Sequence, residues 1–212
     1  MADRTDESSI ARTPAADEAR TRLREALIAA RRPLSDPRRR AANDALLERL
    51  DALLGDVGGV SIAIYWPIRG EPSLGSLPQC WAQRGARTAL PVVDAPRTPL
   101  RFLAWRPGEP TVPGFWRIPR PTSDVALRPD VLVVPCVGFT AEGHRLGYGG
   151  GFYDRSLAAL DADGAAVPRA IGVAWDEALL EGFDPLPTDR PLEAVVTPSA
   201  TYLRAARSPR TP

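Results

Sequence analysis

"DVLVVPCVGFTAEGHRLGYGGGFYDRSL", residues 130–157, carries three kinds of local order in succession. An apolar, β-branched run reads as a strand, a short polar turn follows, and four glycines then fall within residues 147–151. Residues 152–160 resume with helical apolar spacing. Strand, glycine-rich turn and helix in that order make a βα unit whose backbone can approach an anion. Glycine adopts positive φ and carries no side chain, and the N–H groups at a helix start point at negative charge. Arg145 and Arg155 flank the loop and can add charge-assisted hydrogen bonds. It is not a P-loop, because Gly-Lys-Ser/Thr is missing, nor a GxGxxG fingerprint, because Phe152 stands at the last glycine position. From glycine content alone, a tightly packed turn is an equal alternative.

Further strands are predicted within residues 58–67, 88–93, 100–105, 170–175 and 193–198. Helical spacing runs over residues 18–30, through Leu23, Ala26, Leu27 and Ala30. It recurs in a second run to Leu54, through Ala42, Leu46, Leu50 and Leu53, with "RRPLSDP" between the two. Shorter helices are predicted at residues 74–84 and 176–181. Strands alternating with helices predict an α/β fold, with a mainly parallel open sheet and helices on both faces. The proline-rich residues 94–124 read as an excursion inside the same domain with one antiparallel strand, because their tryptophans need burial. The expectation is a single domain over residues 18–203, with flexible tails at 1–17 and 204–212.

The chain has 212 residues, 44% of them hydrophobic, enough for a sizeable core. Its 27 basic and 26 acidic residues leave a net charge of +1, so no global field attracts nucleic acid or anionic lipid. Any anion site must be local. All the basic residues are arginine, which excludes every mechanism that needs a lysine. Cys80 and Cys136 lack metal-ligand spacing and read as buried free thiols. The one histidine, His144, reads as an exposed loop residue rather than a catalyst. No apolar run is long enough to span a bilayer and residues 1–20 hold no apolar signal core, so a cytoplasmic protein is expected; the expected state is a monomer.

The stretch quoted above resembles the signature of the 5-formyltetrahydrofolate cyclo-ligases, also called methenyltetrahydrofolate synthetases: an apolar strand ending in proline, then Gly-x-Arg-Leu-Gly-x-Gly-x-Gly-x-Tyr-Asp. Weaker similarity extends through "ARTRLREALIAARRPLS", "YWPIRGEP" and "IGVAWDEALLEGFDPLPTDRPLEAVVTPS". The resemblance implies an ATP- and Mg²⁺-dependent closure of 5-formyltetrahydrofolate to 5,10-methenyltetrahydrofolate, with a small-molecule folate as partner. It places Arg145, Leu146, Gly147, Tyr148, Gly149, Gly150, Gly151, Phe152 and Tyr153 on the nucleotide, with the basic pair Arg20 and Arg24 of the opening helix. Arg145 and Tyr153 take catalytic roles, Trp66, Glu71 and Tyr153 meet the substrate, and Asp154 and Asp189 hold the metal. Without the resemblance, Asp154 reads as a first-turn acid favourable to the helix dipole, Asp189 as a turn residue and the arginine pair as a solvated face.

Three positions depart from the family's pattern on the expected substrate side. Arg120 stands where an acid belongs, Ala178 where glutamine belongs and Ser73 where a second acid belongs. A paralogue with another substrate, and a non-catalytic folate- or nucleotide-binding protein, are the alternatives these departures leave open. A sugar-phosphate isomerase would need a base that only His144 could supply as a histidine.

Overall fold

In the computed structural model, which describes residues 14–31 and 36–205, the six predicted strands and an unpredicted seventh at residues 201–203 assemble into one sheet. The chain runs through α1 (Pro14–Ala29), α2 (Pro37–Leu54), β1 (Ser61–Ala63), α3 (Leu77–Gln83), β2 (Arg87–Val92) and β3 (Arg101–Ala104). The excursion continues as a hairpin of β4 (Thr111–Pro113) and β5 (Pro119–Pro121). Then follow β6 (Val131–Pro135), β7 (Gly138–Phe139), β8 (Arg145–Leu146), α4 (Phe152–Ala162), β9 (Arg169–Val173), β10 (Ala194–Val196) and β11 (Thr201–Leu203). The order across the sheet is β11-β10-β9-β6-β1-β2-β3. Every pairing from β10 to β2 is parallel, and β3 and β11 close the two edges antiparallel.

Strand alternation divides the interior into two layers. Val131, Val133, Ile171 and Val173 turn toward α2 and α3, packing with Leu46, Leu50 and Trp81. Leu132, Val134, Ala170 and Val195 face the other way, toward Leu157 of α4. Both faces being covered explains why β6 reads as an unbroken apolar run. Asp36 caps α2 by accepting the Arg38 N–H, Pro37 opens the helix, and Gly55 ends it at φ 66°. The inward stripe of α2 is Arg39, Asn43, Leu46, Leu50 and Leu54.

Several expectations change in detail. Helix α1 starts at Pro14, so residues 14–17, predicted as tail, are helical. Residues 1–13 and 206–212 of the expected tails, and 32–35 of the linker, lie outside the described part. Residues 74–76 stay outside α3, and residues 176–178 make a single 3-10 turn. The run at 130–139 divides into β6 and β7, because β7 leaves the main sheet to pair with β8. Cys80 is exposed, not buried: α3 turns the arc of Leu77, Pro78 and Trp81 inward, and Cys80 lies off that arc. His144 is half-buried, with Nδ1 enclosed and without a hydrogen-bond partner, because the β7–β8 turn folds against the body. Cys136 is buried as expected, and burial pushes its thiol up to about 12.

Gly172 of β9 lies where three side chains converge. An added Cβ would sit 2.6 Å from Leu192 Cδ1, 3.0 Å from Cys136 Sγ and 3.1 Å from Val195 Cγ2. Gly172→Ala is therefore expected to destabilise by about 1–3 kcal/mol through overpacking. A denaturant midpoint equal to wild type would contradict that packing.

Candidate active site

From β1 the chain moves outward to β2 on one side and later returns to β6 on the other, so the connections leaving β1 and β6 diverge. Such a switch point opens a crevice at the carboxyl ends of the strands. Here it is a cavity of about 1170 Å³, walled by Tyr65 and Trp66 after β1, Pro91 and Val92 at the end of β2, Pro135 at the end of β6, and the glycine loop before α4.

The loop owes its shape to its glycines. Gly149 has φ 90°, and Gly151, the N-cap of α4, is left-handed at φ 63°. A Cβ on Gly150 would lie 2.6 Å from the Phe152 ring. Arg24 Nε donates to Gly147 O at 2.7 Å, which fixes the loop to α1. Four residues earlier on the same face, Arg20 donates to Asp189 Oδ2 and to Asp184 O, each at 3.0 Å. The basic pair thus joins the glycine loop to the turn that carries Asp189. Leu146 is fully buried in the core, and its side chain does not reach the cavity wall.

Arg145 and Asp154 form a nearly buried pair at 2.8 Å, with 5% and 18% of their side chains exposed. Asp154 Oδ1 also accepts the Arg190 N–H at 3.1 Å, so the first turn of α4 and the 184–190 turn meet at this carboxylate. Tyr153 lies beneath Arg145, with the guanidinium 5.4 Å from its ring centre. Burial, then the nearby Glu71 carboxylate, pushes its hydroxyl well above the usual tyrosine range, so it stays protonated. Arg145 Nε and Arg155 Nε are enclosed and lack a hydrogen-bond partner. Unpaired donors of this kind call for an acceptor, which water or an entering ligand can supply.

Seven arginines line the cavity against three acids, Glu71, Asp154 and Asp189. That surplus suits a polyanion, and the N–H groups at the start of α4 suit phosphate oxygens. Among the described residues no group of three or more His, Cys, Asp and Glu could hold a metal unaided. Asp154 and Asp189 both line the cavity, and carboxylates are the donor type that a hard cation takes beside phosphate and water.

On the wall beside Tyr148 and Tyr153, Glu71 is 4% exposed. Its Oε2 accepts the Ile68 N–H at 2.9 Å, while Oε1 is buried and unpartnered. Burial pushes its carboxyl up from 4.5 to about 7. In the folded state it then keeps, between those values, a proton that the unfolded chain has released. The associated stability is complete below the lower value and is lost as pH rises through the upper one. The loss is on the order of 3 kcal/mol. Glu71→Gln mimics the neutral carboxyl, so thermal midpoints of wild type and variant should diverge by several degrees from pH 4.5 to 7.5. Parallel curves would refute the shift.

Trp66, 38% exposed, also lines this wall, edge-on to Trp105 at 6.2 Å. Of the three departing positions only Arg120 lines the cavity, paired with Asp124 at 2.6 Å. Ala178 packs in the core and Ser73 lies outside the wall, correcting their placement on the substrate side. Sequence reasoning missed Arg31, Arg69 and Arg190. Arg31 donates to Arg69 O, Tyr148 OH and Cys136 O across at least 38 residues, and no local pattern singles it out among 27 basic residues. Arg190 was readable only as the neighbour of Asp189.

The model of the 5-formyltetrahydrofolate cyclo-ligase family matches residues 16–198. A 5-formyltetrahydrofolate cyclo-ligase of Mycolicibacterium smegmatis is 33% identical over 187 residues, 84% of this chain and 93% of that protein. One from Escherichia coli is 34% identical over 148 residues, 67% of this chain and 80% of that protein. The solution structure of Aquifex aeolicus 5,10-methenyltetrahydrofolate synthetase superposes with a TM-score of 0.73 at 26% identity, covering 91% of this chain and 95% of that one.

Proposed function

Since the chain belongs to the 5-formyltetrahydrofolate cyclo-ligase family, we propose that it closes 5-formyltetrahydrofolate to 5,10-methenyltetrahydrofolate at the expense of ATP, with Mg²⁺, acting as a monomer through one domain. The observation that carries this reading is one cavity with two chemically distinct walls that meet at Tyr148 and Tyr153. The arginine-rich glycine loop fits a polyphosphate, and the adjoining wall of Trp66, Tyr65 and Glu71 fits a flat heterocycle with hydrogen-bonding edges. Bound ATP supplies a phosphoryl group that converts the formyl oxygen, a poor leaving group, into phosphate, so that N10 of the folate can complete the ring.

The chain's own residues position and neutralise. Arg24 holds Gly147, and with it the loop, in the shape that receives the phosphates. Arg145 and Arg155 offer their unpaired Nε donors to phosphate oxygens, where charge builds during transfer. Asp154 and Asp189 hold the cation. Tyr153, kept protonated, can donate a hydrogen bond to the oxygen being transferred or released. Glu71 Oε1 receives a donor from the folate edge, and Trp66 covers its ring.

The test is absorbance in the methenyltetrahydrofolate band after the protein is mixed with 5-formyltetrahydrofolate and Mg²⁺, with and without ATP. Growth only with ATP is expected. No growth while ATP still binds would replace this reading with a different substrate, in keeping with the positive charge that Arg120 brings to the wall.

A further inference from the structure

We propose that Asn43 of α2 is a positioning residue for Glu71, holding the main chain that aims this carboxylate into the cavity. The inference rests on the folate reading of that end of the site.

Residues 64–76 join β1 to α3 without a strand or a helix of their own, so where this segment turns inward, at Glu71, Pro72 and Leu74, its backbone draws on side-chain partners. They come from four places in the fold. Arg69 O accepts from Arg31 at 3.0 Å, Gly70 O from Trp175 Nε1 at 2.7 Å, and Pro72 O from the Tyr65 hydroxyl at 2.5 Å. Asn43 alone grips one residue twice. Its Nδ2 donates to Ser73 O at 2.9 Å, and its Oδ1 accepts the Ser73 N–H at 2.8 Å. The side-chain amide thereby replaces the strand partner that the loop lacks. Glu71 lies between these anchors, turned back on Ile68 by its own N–H and by Oε2, with Oε1 left unmet.

Nothing in α2 itself calls for asparagine at this position. It is 5% exposed in the buried row that continues with Leu46 and Leu50, where leucine has the better helix propensity and carries no polar group to bury. The amide is accounted for by the loop it holds, and the loop by the carboxylate it presents. Since a displacement of about 1 Å can cost about 100-fold in rate, a two-point anchor is a strong constraint on catalysis.

The test is a double-mutant cycle of Asn43→Ala with Glu71→Gln, read in turnover, together with a ¹³C-carboxyl NMR titration of Glu71. Asn43→Ala is expected to lower kcat/KM for 5-formyltetrahydrofolate at least tenfold and to leave KM for ATP within about twofold. In the Glu71→Gln background it should add less than twofold, because the group it aims is already altered. Water admitted by the loosened loop should also lower the Glu71 titration midpoint from about 7 toward 4.5. Independent, multiplicative losses in the cycle, or an unmoved midpoint, overturn the proposal. If wild type fails to cyclise the folate, the functional reading falls and the titration alone decides the positioning role. If Asn43→Ala does not fold, Asn43→Leu repeats the same measurements, since leucine suits both the helix and its apolar row.

Discussion

Replacing Asp154 by Asn should lower kcat by about 100-fold or more and leave the α/β body assembled. The carboxylate lies in the first turn of α4 and meets Arg145 and the Arg190 N–H. Asparagine keeps an oxygen for one of these donors, turns its NH2 toward the other, and loses the charge that a hard cation requires. A metal placed against a transferring phosphoryl group contributes several kcal/mol, and about 2.7 kcal/mol already corresponds to 100-fold. Arg145 would meanwhile remain enclosed beside a neutral partner, so some loss of stability is expected as well. Turnover should therefore be measured well below the variant's melting temperature. Raising Mg²⁺ should recover part of the rate if affinity is what was lost. Wild-type turnover in Asp154→Asn would remove Asp154 from the metal site.

Gly149→Val should weaken ATP binding at least tenfold while leaving affinity for the folate much closer to wild type. At φ 90° a β-branched residue is strained whatever the space around it, and a Cβ here would lie 3.4 Å from Arg24 Cζ. The valine would therefore disturb the loop and push away the arginine that fixes it through Gly147. Calorimetric titration with a non-hydrolysable ATP analogue gives the first number, and folate titration in its absence gives the second. Equal losses for both ligands would mean that the loop shapes the whole cavity, and unchanged ATP affinity would refute the phosphate cradle.

How much could be read without coordinates depended on how local each signal is. Strand, glycines and helix follow one another within residues 130–157, so their order alone indicated a βα unit, while leaving a packed turn and an anion-accepting one as equal readings. Helical spacing put Arg20 and Arg24 on one face, but only the family resemblance singled them out, because their partners, Asp189 and Gly147, lie more than 120 residues away. Asn43 gave no signal, because its importance lies in a contact 30 residues distant with a backbone amide and carbonyl, which any residue type supplies. Cys80 was misread for a different reason. In a helix as short as α3 the inward arc is narrow, and an apolar residue just beside it is left in water. Ala178 and Ser73 showed the limit of motif matching: adjacency to a substrate-side segment does not place a side chain on the cavity wall.

The cationic wall of the cavity consists entirely of guanidinium groups, and the consequence reaches into alkaline solution. A lysine-based anion site loses its field as the ammonium groups shed protons near pH 10, whereas guanidinium keeps its charge beyond that range. This crevice retains its pull on a polyanion for as long as the fold survives in base. Acylating reagents that erase ammonium charges find no side-chain amine on its rim.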